Sequence, residues 1–440
     1  MEPLTKRFAV EAVKYLSGIP RRKWADQFEA FSEQDIWTYQ GQSLLARYAD
    51  IKQNVPYYCD SQEYPDHLAG PSDIPELLGS LPVLRKDIVK AGPDHFRRTP
   101  HNPLSWSHTT GGTTGTPLRV HAGLLERGTT NAILEWRNRR LTGKRNPRVL
   151  RLSGYLDGNH DGPGLVVPGT NAAYLSIYSL APEHKGATVD FIKKFRPEVI
   201  HGYASALGQL AQLVSADDLD SHGLTILSTS ETLTESARLV IEERLAATVY
   251  NEYGSQEGQH LVLECESRSL HIHPGRGIVE ILNFGNDEPA PPGELGRVVV
   301  TGLIAKEMPL LRYDIGDSAI STGHAVGCAC GLEWPTIGTV YGRTEDLVKT
   351  RDGRRIGLLS HSTLKDLEGV REAQIIQHDY EMFEYLLWLD SDANRSLVER
   401  HIRNALESRI GTDLDLRFTY TTGAIPRTTS GKLNAVVVKI

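Results

Sequence analysis

The sequence predicts an α/β protein with a small β-rich subdomain and a small α+β domain in its C-terminal part. From about residue 118 onward, short apolar segments alternate with helical patterns, which is the signature of α/β units. Strand-like segments at residues 277–282 and 296–303 are separated by turn residues, which indicates an antiparallel sheet or small barrel. At 440 residues the chain is too long for one typical core, so we expect two or three domains.

The individual elements follow from apolar spacing and turn residues. Early in the chain, Leu44, Tyr48 and Ile51 recur at helical spacing, and Pro56 should end that helix. In the α/β part we predict helices at residues 124–139, 187–195, 206–214 and 235–247, and strands at 148–152, 224–228 and 248–250. In the C-terminal part we predict strands at residues 373–377, 383–389 and 414–420, and a helix with the apolar positions Leu397, Ile402, Leu406 and Ile410.

Composition and charge narrow the class of protein. An apolar fraction of 40% and a charged fraction of 23% are typical of globular proteins. The formal net charge of -7 gives no electrostatic case for nucleic acid. No apolar run is as long as a membrane span, and charged residues interrupt residues 1–17, where a signal peptide would be apolar. We therefore expect a cytoplasmic enzyme that binds neither nucleic acid nor membrane.

Residues 109–117 form a threonine- and glycine-rich stretch just before the predicted α/β units. Glycines let backbone N–H groups approach a ligand closely, and threonine hydroxyls add donors, so the stretch can cradle phosphate oxygens. It is not a Walker A loop, because Gly115 is followed by Thr116 and Pro117 and not by the Lys-Ser/Thr pair. A mobile surface turn fits the same composition equally well.

Three further segments carry residues that could bind a ligand. An aromatic, a glycine and an acid at residues 251–257 follow a predicted strand, where open α/β sheets bind ligands, although a helix-capping turn fits slightly better. Asp317 could accept hydrogen bonds from a ribose diol or could close a turn. Lys432 lies in a Ser-Gly-Lys loop, where a lysine is usually just exposed.

The four cysteines are too few for a disulfide framework in a chain of this length, so their placement matters more than their number. Cys265, Cys328 and Cys330 with His271 are the ligand set of a closed tetrahedral Zn²⁺ site, although His273 competes with His271. The alternative is reduced thiols buried as small hydrophobic groups. Cys59 has no partner, and we interpret it as structural.

Taken together, these motifs resemble those of the adenylate-forming enzymes, the superfamily of acyl-CoA synthetases and adenylation domains. The threonine-rich loop resembles the pyrophosphate-binding loop, residues 251–257 the Tyr-Gly-x-Thr-Glu motif, and residues 312–317 the Tyr-Arg-Thr-Gly-Asp motif. Residues 342–346 are similar to the hinge and residues 426–432 to the catalytic-lysine loop. The resemblance covers nearly the whole chain and includes five motifs in the family's order.

Within the superfamily, the chain looks nearest to the phenylacetate:coenzyme A ligases and their capsule-biosynthesis relatives. This likeness rests on residues 54–58, residues 81–86 and the Arg312-Tyr313 pair. The chain also departs from the family pattern. Gly111 replaces a common serine and Thr116 a common lysine, so the loop has one cation fewer and one more flexible position, which affects the strength of its contacts and not its role. Gln256 replaces the usual threonine, which affects contacts to the α-phosphate or the acyl carboxylate. Some members of the branch look metal-bound near the cysteines, which favours zinc.

The resemblance implies a large adenylate-forming domain at residues 1–342 and a small mobile lid domain at residues 343–440. It implies that Lys432 and Glu257 act in catalysis, that Glu257 also holds Mg²⁺, and that Glu345 is the hinge. It assigns nucleotide binding to Thr110, Gly111, Gly112, Thr113, Thr114, Gly115, Ser230, Glu231, Asn251, Tyr253, Gly254, Ser255, Asp317 and Arg343.

The implied reaction joins a carboxylic acid to AMP from ATP with Mg²⁺, releases pyrophosphate, and passes the acyl group to coenzyme A. The acid pocket should draw on residues 154–155, 201–203 and 228–231, but the acid itself is not readable from the sequence. Two alternatives stay open at this point: transfer to a carrier-protein thiol or an amine, and a non-catalytic nucleotide-binding relative. A homodimer is also compatible with the resemblance.

Overall fold

The computed structural model describes residues 18–68, 74–110, 118–154, 162–220, 223–323, 326–357, 359–364, 367, 369–426 and 433–440. Its helices are α1 (Arg22–Gln27), α2 (Glu33–Asn54), α3 (Pro56–Asp60), α4 (Ile74–Gly79), α5 (Lys86–Ala91), α6 (Leu124–Thr142), α7 (Lys185–Phe195), α8 (Ala204–Leu213), α9 (Ala216–Leu219), α10 (Glu235–Leu245), α11 (Leu359–Leu364) and α12 (Arg395–Ile410). None of these helices is long and apolar enough to span a membrane.

The strands fall into five sheets. In chain order they are β1 (Ser105–Thr109), β2 (Arg119–Gly123), β3 (Val149–Ser153), β4 (Gly164–Val166), β5 (Ala172–Ser176), β6 (Val199–Gly202), β7 (Leu224–Thr229), β8 (Ala247–Gly254), β9 (Leu261–Glu264), β10 (Leu270–Ile272), β11 (Gly277–Leu282), β12 (Leu295–Gly302), β13 (Tyr313–Ile320), β14 (Thr336–Ile337), β15 (Val340–Arg343), β16 (Val348–Lys349), β17 (Arg355–Ile356), β18 (Val370–Gln377), β19 (Met382–Leu389), β20 (Asp415–Thr421) and β21 (Val436–Val438).

The largest sheet has nine strands, in the order β14-β10-β9-β8-β7-β6-β3-β5-β4, and it forms the centre of the part of the chain that precedes β16, which we call the large part. Strands β5, β3, β6, β7 and β8 run parallel, and the strands outside them pair antiparallel. Strand β7 is buried over five of its six residues, as expected for a parallel strand covered on both faces. Ile226 packs in a cluster with residues of α8 and α10, whereas the next residue, Leu227, packs with Leu141 of α6.

The two long helices of the large part begin and end where the sequence supplies caps. Helix α2 begins at a capping box, in which Ser32 and Asp35 exchange side-chain and backbone hydrogen bonds, and it ends two residues before Pro56. Helix α6 ends at Gly143, whose φ of 67° is the left-handed conformation that glycine adopts readily. The predicted helices at residues 44–51 and 124–139 are therefore confirmed.

Strands β11, β12, β13 and β15 form a separate antiparallel sheet, as the turn-punctuated sequence predicted. Its residues share a core with α2 to α5, and this core includes Leu44, Val298 and Tyr313. Asp317 lies within β13, so the interpretation that it closes a turn is wrong.

The C-terminal part has its own sheet, in the order β20-β19-β18-β21, and its own hydrophobic core. The predicted helix is α12, but Leu397 does not belong to its buried face, because 47% of the residue is exposed. The buried positions are Val398, Ile402 and Leu406. The error arises because helical spacing admits both Leu397 and Val398, and only packing on the sheet selects between them.

Two hydrogen bonds attach the flanks of residues 426–433 to strand β18. The Ile425 backbone N–H donates to Glu372 Oε2 at 2.8 Å, and Gln374 Nε2 donates to the Asn434 carbonyl at 2.7 Å. Because Glu372 and Gln374 are two residues apart, their side chains lie on one face of the strand. Both flanks of the segment that contains Lys432 are thus fixed to the same sheet.

Candidate functional site

Tyr253, Asp317 and Arg343 come together although they lie on three different strands. Asp317 of β13 pairs directly with Arg343 at the end of β15, and Arg343 Nη1 lies 3.4 Å from Asp317 Oδ1. The Tyr253 hydroxyl donates to the other carboxylate oxygen, Asp317 Oδ2, at 2.9 Å. Burial and the neighbouring Asp317 raise the pKa of Tyr253, so this hydroxyl stays protonated. The sequence therefore selected three residues that do form one cluster.

Glu257 lies at the edge of this cluster and is 4% exposed. The Tyr313 hydroxyl donates to Glu257 Oε1 at 3.3 Å. Lys86 Nζ lies 3.8 Å from the same oxygen and donates to the Ile315 carbonyl at 2.7 Å. A buried carboxylate whose second oxygen accepts no hydrogen bond from the described residues suits a hard cation such as Mg²⁺.

Lys86 is a site residue that the sequence analysis missed. Burial and the nearby Arg343 lower the pKa of Lys86, and Glu257 and Asp317 partly offset this effect. The sequence carried one usable signal, since Lys86 ends the 81–86 stretch that supported the family likeness. A short parallel bridge between Leu84 and Tyr313 places this stretch beside β13, and no local pattern predicts that pairing.

The residues at the carboxyl end of β8 differ in part from the prediction. Asn251, Tyr253 and Gly254 lie within β8, so only Ser255 to Glu257 follow the strand. The prediction placed the strand end too early, because a glycine and polar residues normally end a strand pattern. The Ser255 hydroxyl oxygen is buried and has no hydrogen-bond partner among the described residues.

Ser230 and Glu231 follow β7 at the same edge of the sheet. Ser230 has a φ of 65°, a conformation that is uncommon for residues other than glycine. The Glu231 carboxylate accepts hydrogen bonds from the Ser205 backbone N–H at 2.9 Å and from the Ser205 hydroxyl at 3.2 Å. Glu231 thus binds the first turn of helix α8, a contact the sequence did not predict.

Thr110 is the described end of the threonine-rich loop. It exchanges hydrogen bonds with Leu118, whose backbone N–H donates to the Thr110 hydroxyl at 3.1 Å and whose carbonyl accepts from the Thr110 N–H at 2.9 Å. In the strand that leads to the loop, His108 Nε2 lies 3.0 Å from the Gln256 carbonyl, which places the base of the loop beside Glu257. The predicted residues Gly111, Gly112, Thr113, Thr114 and Gly115, as well as Lys432, lie outside the described residues.

Cys265, His271, Cys328 and Cys330 form a compact cluster, whose potential ligand atoms all lie within 4.8 Å of one another. Cys265 Sγ and Cys328 Sγ are 3.7 Å apart, and Cys330 Sγ lies 3.4 Å from His271 Nε2. A tetrahedral Zn²⁺ with its usual bond lengths places two sulfurs about 3.8 Å apart and a sulfur and a nitrogen about 3.5 Å apart. The donor set and its spacing therefore fit zinc.

The structure distinguishes between the two histidines near this cluster. His271 Nδ1 lies 3.2 Å from the Trp334 carbonyl, an arrangement that leaves Nε2 free to bind a metal. His273 instead lies among Trp24, Phe28 and Trp334, and burial lowers the pKa of His273 to about 3. His271, and not His273, is therefore the fourth member of the cluster beside the three thiols. Cys59, which we interpreted as structural, is exposed and lies outside this cluster.

Comparisons with known proteins relate the whole chain to one group. Residues 348–439 match the CapK C-terminal domain. The chain is 24% identical to Protein CapK of Staphylococcus aureus over 412 residues, which cover 90% of this chain and 88% of that protein. It is 27% identical to the phenylacetate-coenzyme A ligase of Thermus thermophilus over 351 residues, which cover 74% of each chain. The chain is a homologue of CapK and the phenylacetate-CoA ligases.

A solved structure has the same fold as this chain. A crystal structure of 2-hydroxyisobutyryl-CoA ligase, in the postadenylation state with 2-HIB-AMP, matches 96% of this chain and 92% of that chain. The TM-score is 0.71 and the sequence identity is 16%. The chain therefore has the fold of the adenylate-forming CoA ligase structures, which confirms the α/β class derived from the sequence. The homologous sequences confirm the family resemblance.

Proposed function

We propose that this chain is an AMP-forming ligase that activates a carboxylic acid with ATP and then transfers the acyl group to coenzyme A. The main support for this proposal is that four side chains lie close together: Tyr253, Glu257, Asp317 and Arg343. Up to 90 positions separate these four side chains in the sequence, and the family resemblance assigned them to ATP or Mg²⁺. Tyr253 and Arg343 contact Asp317 directly. Glu257 joins them through Lys86, which lies 3.8 Å from Glu257 and donates to the same Ile315 carbonyl as Arg343. The relatives named as CoA ligases support the same class of reaction.

The first half-reaction forms an acyl adenylate. A carboxylate oxygen of the acid attacks the α-phosphorus of ATP, and pyrophosphate leaves. Asp317 would accept hydrogen bonds from the ribose hydroxyls, and Arg343 would place its planar guanidinium near the ribose or a phosphate. Glu257 would hold Mg²⁺, which offsets the phosphate charge that repels the incoming carboxylate. Tyr253 would stack on the adenine.

The second half-reaction transfers the acyl group. The thiolate of coenzyme A attacks the carbonyl carbon of the adenylate, and AMP leaves. We propose that residues 343–440 act as the lid, that Glu345 is the hinge, and that Lys432 contacts the α-phosphate only during the first half-reaction. The separate core of the C-terminal part, which begins at Val348, supports a unit that moves as a whole.

We also propose that the cluster of Cys265, His271, Cys328 and Cys330 holds one structural Zn²⁺. Four protein ligands leave no open position for substrate, so the metal would stabilise the fold and not take part in the reaction. The cluster ties the turn between β9 and β10 to the loop that precedes β14, and both segments form one edge of the large sheet.

The decisive experiment measures acid-dependent exchange of pyrophosphate into ATP with a panel of carboxylic acids. Acid-dependent exchange is the expected result, and its absence with every acid would favour a non-catalytic nucleotide-binding relative. A competition among coenzyme A, a carrier protein and simple amines then identifies the acceptor. Thioester formation with coenzyme A is expected, and transfer only to a carrier protein or an amine would correct the second half of the proposal.

A further inference from the structure

A buried group of charged side chains lies beside the nucleotide cluster but on the opposite face of the large sheet. Glu252 and Tyr253 are neighbours in β8, so their side chains point to opposite faces. On the face of Glu252, Arg151 of β3 pairs in register with His201 of β6, and Thr229 of β7 pairs with Glu252. These positions all lie toward the carboxyl ends of parallel strands, the edge where open α/β sheets bind their ligands.

Helix α6 adds a fixed positive charge to this group. Arg137 Nη1 donates to Glu252 Oε2, and the Thr229 hydroxyl lies 3.4 Å from the other oxygen, Oε1. The side chains of Arg137 and Glu252 are 5% and 11% exposed, so the pair is almost withdrawn from water. Burial raises the pKa of Glu252, but Arg137 together with His201 and Arg151 outweighs this effect, and the pKa is below the usual value. Glu252 is therefore an ionised acceptor.

The group has unused hydrogen-bonding capacity. A carboxylate can accept about four hydrogen bonds, and Glu252 accepts two from the described side chains. His201 Nε2 is buried without a hydrogen-bond partner in the described part of the chain. Burial lowers the pKa of His201 to about 4, so the imidazole is neutral at pH 7. Buried polar atoms normally find partners, so an unpartnered atom beside a spare carboxylate lone pair points to a ligand group.

The distance between these atoms suits a hydroxyl group. His201 Nε2 lies 4.0 Å from Glu252 Oε2. A hydroxyl oxygen about 2.8 Å from both atoms would donate its proton to the carboxylate and accept one from the imidazole in its Nε2–H tautomer. An apolar group in the same place would leave both buried atoms without a hydrogen bond, and this would weaken binding of the acid.

We propose that the acid activated by this ligase carries a hydroxyl group, and that Glu252 and His201 select for it. This inference rests on the proposed function and adds the class of acid, a hydroxy acid, to it. Arg137 acts through Glu252 as a positioning residue, because it holds the carboxylate in place without contacting the substrate.

The test compares matched acids in the pyrophosphate-exchange assay with the wild-type chain. Each pair differs by one hydroxyl: isobutyrate with 2-hydroxyisobutyrate, butyrate with 3-hydroxybutyrate and 4-hydroxybutyrate, and phenylacetate with mandelate and 4-hydroxyphenylacetate. The preferred hydroxy acid should exceed its deoxy partner in kcat/KM by at least about 10²-fold. This preference is smaller than the roughly 10⁴- to 10⁵-fold of fully buried hydroxyl-binding sites, because the His201 side chain is 20% exposed.

Two variants test whether His201 selects for the hydroxyl group of the acid. His201→Phe should reduce the preference for the hydroxyl at least tenfold, mainly by lowering kcat/KM for the hydroxy acid. His184→Phe is the matched control, because His184 is an exposed histidine away from this group, and it should keep the wild-type preference. If His201 serves only the fold, His201→Phe will lower the activity with both acids of a pair equally, and that result would overturn its selecting role.

The outcomes separate this inference from the proposed function. Equal or better exchange with the deoxy acids overturns the hydroxy-acid inference and leaves the ligase intact. No exchange with any acid overturns the ligase function and this inference with it.

Discussion

Replacing Cys328 by serine tests the metal site through the stability of the large part. A metal that joins Cys265 and Cys328 would close a loop of 63 residues. The loop-closure relation for covalent cross-links gives about 4 kcal/mol for a loop of this length at 25 °C. Because serine is a poor zinc ligand, Cys328→Ser should lose most of this contribution, and the free energy of unfolding should fall by about that amount.

The measurement combines metal analysis with urea unfolding. Purified wild-type protein should contain about one equivalent of zinc per chain, because the four ligands form a single tetrahedral site. Unfolding can be followed by tryptophan fluorescence, since Trp334 is buried, stacks on Trp136 at 4.8 Å and offers its carbonyl to His271. A chelator should destabilise the wild-type protein and leave Cys328→Ser almost unchanged.

Cys59→Ser provides the matched control, because Cys59 is exposed and lies outside the cluster. It should retain both the zinc and the wild-type midpoint of unfolding. The reasoning is refuted if the wild-type protein contains no metal and the two serine variants unfold at the same urea concentration.

Three further predictions concern the reaction. Lys432→Ala should lower adenylate formation by about 10²- to 10³-fold and affect transfer from a preformed adenylate much less, so an unchanged pyrophosphate-exchange rate would contradict its assigned role. Glu345→Pro should leave adenylate formation nearly intact and slow transfer to coenzyme A, because rotation at the hinge is restricted; equal loss in both half-reactions would argue against a hinge. Asp317→Asn should raise the KM for ATP about 10-fold or more, because the hydrogen bonds from the ribose lose their charged acceptor. Steady-state kinetics at varied ATP measure this KM, and an unchanged value would show that Asp317 does not bind the ribose.

Sequence reasoning worked best where a motif and a strand coincide. Asp317 and Tyr253 were selected from separate motifs, and β8 and β13 bring them to 2.9 Å. The cysteine cluster was selected from ligand chemistry and the family resemblance, but the choice of His271 over His273 needed the Trp334 carbonyl, which no sequence spacing displays. Motifs identify which residue types act together, whereas the identity of each partner depends on tertiary contacts.

The residues that the sequence did not predict correctly all depend on long-range packing. Lys86 reaches Glu257 only because Leu84 pairs with Tyr313 across more than 200 residues of sequence. Leu397 satisfies the helical period as well as Val398 does, and the sheet beneath helix α12 decides which of them is buried. The ion pair between Arg137 and Glu252 joins a helix to a strand with 115 positions between them, and neither residue stands out in its own segment.

The attachment of residues 425 and 434 to β18 has a consequence for engineering. Glu372 and Gln374 hold the residues on either side of the lysine-bearing segment, Ile425 and Asn434, on the small sheet. We therefore expect that a graft made between Arg343 and Val348 would carry this segment together with the strand that holds its flanks. Under the proposed function, the donor part of such a chimera would supply the lysine, and the recipient part would keep its own choice of acid.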